Sequence, residues 1–83
     1  MTQKAVKIKW IDPTVISEWI DREDINQYEE MNELFSVGLL VKEDDKFLTI
    51  ALSLDDSEGL KRYNCIKIIP KSCIRLRHDF EVF

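Results

Sequence analysis

Histidine and cysteine, the residues that most often bind zinc, are few in this chain. There is one histidine, His78, and two cysteines, Cys65 and Cys73. Their spacing matches neither a CxxC nor an HxxxH pattern and leaves no fourth ligand, so it predicts no zinc site. A single histidine with no recognisable nucleophile beside it does not indicate a catalytic centre. The only glycines, Gly38 and Gly59, are too few for a phosphate-binding loop. We therefore expect no enzymatic activity, no metal and no cofactor.

Charge is sorted along the chain. Residues 1–11 contain three lysines and no acid, residues 12–58 contain fourteen acidic residues against three basic ones, and residues 59–83 contain six basic residues against two acidic ones. The net charge of −4 is therefore the sum of two basic terminal segments and one acidic middle segment. Such sorting bears on partners and on electrostatic steering, not on fold.

Four cations form the candidate basic face: Lys7, Lys9, Arg75 and Arg77. Each pair alternates with apolar residues, which predicts that Lys7 and Lys9 point outward from the first strand, and Arg75 and Arg77 from the last. If those strands are neighbours, the face attracts an anionic partner or pairs with the chain's own acids. Sites for nucleic acid interleave aromatic residues with cations. None of the predicted outward positions is aromatic, so an acidic protein patch is favoured over nucleic acid.

The candidate acidic face consists of Glu29, Glu30 and Glu33, within an acidic insert at residues 13–33. Two interpretations stay open. The carboxylates could imitate a phosphate array and block an enzyme that acts on nucleic acid, or they could simply keep a helix surface solvated.

Alternating and β-rich segments predict the elements that position these residues. Five strands are expected, at residues 4–10, 34–43, 46–54, 62–69 and 74–77. Gly38 lies inside the second of them and is typical of a bulge or a bend. In the last strand, Ile74 and Leu76 are expected to point inward. Five short, bent strands in so small a chain predict a closed or nearly closed barrel, because closure removes sheet edges.

The insert is expected to be helical. Asp12 and Pro13 suit the start of a helix. An apolar stripe then follows, comprising Val15, Ile16, Trp19 and Ile20. This stripe predicts one short helix that folds over the barrel and buries Trp19. Residues 25–33 are expected to form another turn or two. Four aromatic residues are assigned to the core: Trp10, Trp19, Phe35 and Phe47.

The chain resembles a group of small uncharacterised bacterial and phage proteins. The resemblance is carried by three stretches and by the end of the first strand: residues 36–45, 48–54 and 66–74, and Trp10-Ile11-Asp12. The shared pattern is a hairpin containing Gly38, a turn at Pro70 and a short final strand. It implies an architecture similar to the SH3-like and Sm-like small barrels. Such barrels host many unrelated tasks, so the resemblance implies little about function.

Together these features predict a mainly β protein: one domain over residues 1–83, built as a small SH3-like or Sm-like barrel with one short helix after the first strand. Its expected function is that of a non-enzymatic binding module, derived from a phage or prophage by resemblance, that acts by protein–protein contact. The alternatives are an Sm-like RNA- or DNA-binding protein and an acidic inhibitor of a nucleic-acid enzyme. No segment resembles a signal peptide or a membrane span, and two cysteines make no disulfide framework, so a cytoplasmic location is expected. Self-assembly is left open.

Overall fold

The computed structural model describes residues 2–12, 17–30 and 33–83, with the backbone alone for residues 28–30 and 58. Its main elements are five strands and one short helix: β1 (Lys4–Ile11), α1 (Ile25–Glu30), β2 (Glu33–Glu43), β3 (Phe47–Asp55), β4 (Arg62–Pro70) and β5 (Ile74–Glu81). Three 3₁₀ turns lie between them, at Arg22–Asp24, Ser57–Gly59 and Lys71–Cys73. The strands form one antiparallel sheet in the order β4-β3-β2-β1-β5. The prediction of a mainly β protein is confirmed.

The sheet curls around its own core. Six buried side chains from three strands pack together: Val6, Ile8, Trp10, Leu48, Ile50 and Ile69. Leu40, Cys73 and Ile74 pack against this cluster. All six point to one face of the sheet, as the alternation in β1 predicts. The buried indole of Trp10 donates a hydrogen bond to Ser36 Oγ at 2.9 Å, which satisfies its only polar atom.

The connection between β4 and β5 explains the curl. These strands are the two edges of the sheet, yet only residues 71–73 join them. From Pro70 to Ile74 the chain spans at most about 14 Å, whereas the edges of a flat five-stranded sheet lie about 19 Å apart. The edges must therefore approach each other at this corner. Among the described strands, however, β4 and β5 form no ladder, so the sheet is open and closure into a barrel stays a prediction.

Two local features shape the β2–β3 hairpin. Asp44 Oδ1 accepts hydrogen bonds from the backbone N–H groups of Phe47 and Lys46, both at 2.8 Å, and these lower the pKa of its carboxyl group. At Gly38 an added Cβ would lie 2.9 Å from Ile50 Cβ and 3.1 Å from the Ala51 carbonyl oxygen. The absence of a side chain at Gly38 lets β2 pass this close to β3.

The insert differs from the prediction. Residues 17–20 are not helical, and Trp19 is fully exposed at 103% rather than buried. The first half of the predicted helix, including Val15 and Ile16, lies outside the described residues. On the buried face of the sheet the core side chains already pack against one another, so residues 17–20 have no open apolar surface to cover there. The second predicted helical stretch, at residues 25–33, corresponds to α1.

Candidate interaction groove

A groove of about 430 Å³ runs across β1 on the outer face of the sheet, opposite the core. We call it the β1 groove. Its floor is formed by Lys7 and Lys9, one wall by Phe35 and Val37 of β2, and the other by Leu76 and His78 of β5. The strand register aligns these six residues in two rows across three strands: Val37–Lys7–His78 and Phe35–Lys9–Leu76. The groove therefore lies on a hydrogen-bonded sheet rather than on loops.

The walls of the groove are apolar and open to solvent. Phe35 is 79% exposed, and Val37 and Leu76 are each 64% exposed. Because these side chains lie on adjacent strands around the two lysines, they form one patch rather than scattered surface residues. A patch of this kind marks an interaction surface more often than isolated apolar residues do.

Charge within the groove is uneven. Lys9 forms an ion pair with Glu33 at 3.3 Å, and its Nζ lies 5.8 Å from the centre of the Phe35 ring. Lys7 has no ion-pair partner among the described residues. On the far wall, the His78 ring stacks on Phe80 with 6.0 Å between ring centres. The groove thus offers the ammonium group of Lys7, which no described carboxylate neutralises, beside apolar and aromatic side chains.

Arg77 does not join the lysines. It lies opposite Ile8, the buried neighbour of Lys7 and Lys9, and therefore points to the other face of the sheet. A bulge between Lys9 and Trp10 shifts the register of β5, which places Leu76 rather than Arg77 on the outer face. The predicted directions of Leu76 and Arg77 are therefore wrong, and the four cations do not share one face.

Arg77 instead forms an ion-pair network that joins β5 to the end of β2. Its guanidinium donates two hydrogen bonds to Glu43, at 2.6 and 2.9 Å, and two to Asp79, at 2.7 and 2.9 Å. Lys71 Nζ also lies 2.6 Å from Glu43 Oε2. Hydrogen bonds from Arg77 and then from Lys71 lower the pKa of Glu43 to about 2, and Arg77 likewise lowers the pKa of Asp79. This network is structural and leaves Arg77 little freedom to bind a partner.

The other residues proposed for the basic and acidic faces, Arg75 and the three glutamates, lie in different elements of the fold. Arg75 Nη1 donates to the Ser72 carbonyl oxygen at 2.9 Å, beside the turn that precedes β5. Glu33, proposed for the acidic face, is the residue that pairs with Lys9. Glu29 and Glu30 lie in α1, and their side chains are outside what the structure describes. One residue of the candidate acidic face, Glu33, therefore forms an ion pair with one residue of the candidate basic face, Lys9, so these two residues do not lie on opposite faces.

The three residues considered for metal binding lie in different settings. Cys65 is exposed on β4, Cys73 packs against the core, and His78 faces outward from β5. Within the part of the chain that is described, no group of three or more potential ligands comes together. No helix in the described ranges is long and apolar enough to cross a lipid bilayer.

The residues of the groove walls were not predicted, because both faces of β2 contain apolar residues and alternation does not tell which face is buried. The assignment of Phe35 to the core was therefore wrong. A signal was available in the residues between them. Ser36 and Gly38 lie opposite Ile8 and Val6 on the core face, where little space remains. Small residues at alternate positions of a strand indicate the crowded face, which leaves Phe35 and its neighbour Val37 for the outside.

No protein family, curated protein or solved structure matches this chain. The resemblance to SH3-like and Sm-like barrels therefore stays a prediction.

Proposed function

We propose that the protein is a non-enzymatic binding module and that the β1 groove is its contact surface for a protein partner. The observation that carries the proposal is the cluster of exposed apolar side chains, Phe35, Val37 and Leu76, around Lys7, which has no ion-pair partner in the described part of the chain. Full burial of each such side chain stabilises a complex by roughly 1.5–3 kcal/mol before the entropic cost of association. Both cysteines are free thiols, which suits the reducing cytoplasm in which we place the module.

The groove defines the chemistry of the partner segment. An apolar side chain suits the space between the walls, and a carboxylate beside it suits the ammonium group of Lys7. The ion pair contributes mainly to orientation and association rate, because Lys7 is at the surface. The apolar walls contribute most of the affinity.

The test compares two substitutions that are matched in exposure. Leu76→Glu places a charge in the groove, whereas Ile68→Glu places one on β4, where Ile68 is 62% exposed and outside the groove. A protein captured from a cell lysate by the parent chain is purified, and its affinity is measured by calorimetry. We expect Leu76→Glu to weaken binding by roughly 30-fold or more. Ile68→Glu should leave it unchanged, and equal effects of the two changes would refute the proposal.

A second candidate, single-stranded RNA or DNA binding, is favoured by one specific observation. The aromatic rings of Phe35 and His78 flank Lys7 and Lys9 on one face, which corrects the expectation that no outward position is aromatic. Bases stack on such rings while cations track the backbone. Against it stand the net charge of −4 and the ion pair between Lys9 and Glu33.

Oligonucleotide titrations at several salt concentrations decide between the two candidates. For a protein-binding module we expect oligonucleotide dissociation constants on the order of 10⁻⁴ M or weaker at physiological salt. Sub-micromolar binding that falls steeply with salt and is lost in Phe35→Ala would promote the second candidate. The matched control is Leu52→Ala, because Leu52 is an apolar side chain of similar exposure that lies outside the β1 groove.

A further inference from the structure

The molecule exposes more surface than a folded monomer of its size. Its accessible area is 6615 Å² for a mass of 9.8 kDa, whereas a typical monomer of that mass exposes about 5,200 Å². The radius of gyration is 16.1 Å and the longest extent 55 Å, against about 12 Å for the radius of gyration of a compact chain of this length. The excess area, about 1,400 Å², is larger than the roughly 800 Å² that each partner buries in a standard interface.

Residues 17–30, which we call the arm, include the 3₁₀ turn Arg22–Asp24 and the helix α1, neither of which makes extensive contact with a strand over the residues described. The arm belongs to the connection between Ile11 and Glu33, which pair with each other at one end of the sheet. Its helix α1 directly follows that 3₁₀ turn. The arm carries a fully exposed Trp19 and six acidic residues against one arginine.

The arm and the β1 groove are complementary. The arm offers a large aromatic side chain between carboxylates, with Glu18 before Trp19 and Asp21 after it. The groove offers apolar walls beside Lys7, for which the described residues supply no ion-pair partner. Both features are exposed in the same molecule, and neither is covered by the other.

We infer that the arm of one copy docks in the β1 groove of a second copy, with Trp19 between the groove walls. Because every copy has both an arm and a groove, two copies related by a twofold axis exchange arms reciprocally, and this pair leaves no arm or groove free for further copies. The surplus exposed area of the single chain is enough for such an interface. The inference rests on the same groove as the proposed function: in the absence of another partner, the arm is the segment that occupies it.

Analytical ultracentrifugation between about 1 μM and about 1 mM tests the exchange, a range that brackets weak and moderate dimers. We expect the parent chain to reach twice the 9.8 kDa mass of one chain. Trp19→Ala and Leu76→Glu should each weaken the dimer by roughly 30-fold or more. The matched controls are Leu60→Ala, at an exposed position outside both surfaces, and Ile68→Glu; both should remain dimeric.

Mixing Trp19→Ala with Leu76→Glu distinguishes an arm-to-groove contact between copies from a dimer that forms through another surface. Trp19→Ala keeps an intact groove and Leu76→Glu keeps an intact arm, so an equimolar mixture should form a heterodimer through one remaining junction. If Leu76→Glu does not fold, Phe35→Ser replaces it, since Phe35 is the most exposed wall residue. A circular dichroism spectrum equal to that of the parent confirms folding before each run.

Several results would overturn the inference: a parent chain that stays monomeric at about 1 mM, a dimer that survives both variants, or a mixture that associates no more strongly than either variant alone. Docking of the arm into its own groove would show as a monomer whose Trp19 emission shifts in Leu76→Glu. The proposed function is tested separately, by measuring the affinity of each variant for the protein partner. Trp19→Ala should retain the partner that Leu76→Glu loses, so a failed dimer leaves that test intact.

Discussion

Glu43 provides a direct test of the ion-pair network that ties β5 to β2. Its carboxylate accepts two hydrogen bonds from Arg77 and contacts Lys71 at 2.6 Å. These cations favour the ionised form and lower its pKa from 4.5 to about 2. Because the unfolded chain lacks the network, the folded state gains stability from Glu43 only where that carboxyl group is ionised.

The size of the effect follows from the change in pKa. A difference of about 2.5 between the unfolded and folded chain corresponds to at most about 3.4 kcal/mol. The Glu43 and Arg77 side chains are 29% and 28% exposed, and screening by solvent reduces the contribution to about 1–2 kcal/mol. We therefore expect Glu43→Gln to lower the free energy of unfolding at pH 7 by that amount, and the melting temperature by about 4–16 °C.

The pH dependence distinguishes electrostatic stabilisation from packing. A lowered pKa in the folded state means that the stabilisation is complete above pH 4.5 and is lost as the pH falls towards 2. Urea unfolding followed by far-UV circular dichroism at pH 7, 4.5 and 2 measures this. The difference between the parent and Glu43→Gln should be largest at pH 7 and vanish near pH 2.

Asp45→Asn is the matched control. Asp45 lies in the same hairpin, is exposed and has no ion pair among the described residues. It should unfold with the parent at every pH. The electrostatic reasoning fails if Glu43→Gln is as stable as the parent at pH 7, or if its deficit persists unchanged at pH 2.

Three further predictions concern stability at concentrations where the chain is monomeric, each measured by urea unfolding. Gly38→Ala should cost about 1–3 kcal/mol, because the new Cβ would lie 2.9 Å from Ile50 Cβ, and unchanged stability would show that β2 and β3 can separate. Ser36→Ala should cost about 1 kcal/mol or more, because the buried Trp10 indole loses its acceptor; a neutral result would mean that water replaces it. Trp19→Ala should change stability by less than about 0.5 kcal/mol, because the side chain is fully exposed, and a loss of several kcal/mol would restore the buried helix that the sequence predicts.

The sheet was predictable because its patterns are local. Alternation in β1 identified Val6, Ile8 and Trp10 as core residues, and Asp44 marked the hairpin turn. The last strand was predicted at residues 74–77, which form the first half of β5; the strand extends to Glu81. In these cases one strand or one turn contains all the information that the prediction needs.

The candidate site was less predictable because it depends on register between strands. The face that Leu76 and Arg77 present is set by a bulge opposite Trp10, more than sixty residues away in the sequence. The orientation of Phe35 also depends on strand register, because its pairing with Lys9 places it on the outer face of the sheet. A shift of one residue reverses every side chain of a strand, and alternation alone does not locate such a shift.

The position of β5 in the sheet also has a consequence for folding and local opening. The pairs β1–β2, β2–β3 and β3–β4 join neighbours in the sequence, whereas β5 must find β1 across the whole chain. Closing that long loop is entropically the most costly step, so we expect the β1–β5 ladder to form last and to open first. Leu76 and His78 belong to that ladder, and occupation of the β1 groove should therefore slow amide hydrogen exchange throughout β5. Exchange rates of β5 thus report on ligand binding before the ligand has been identified.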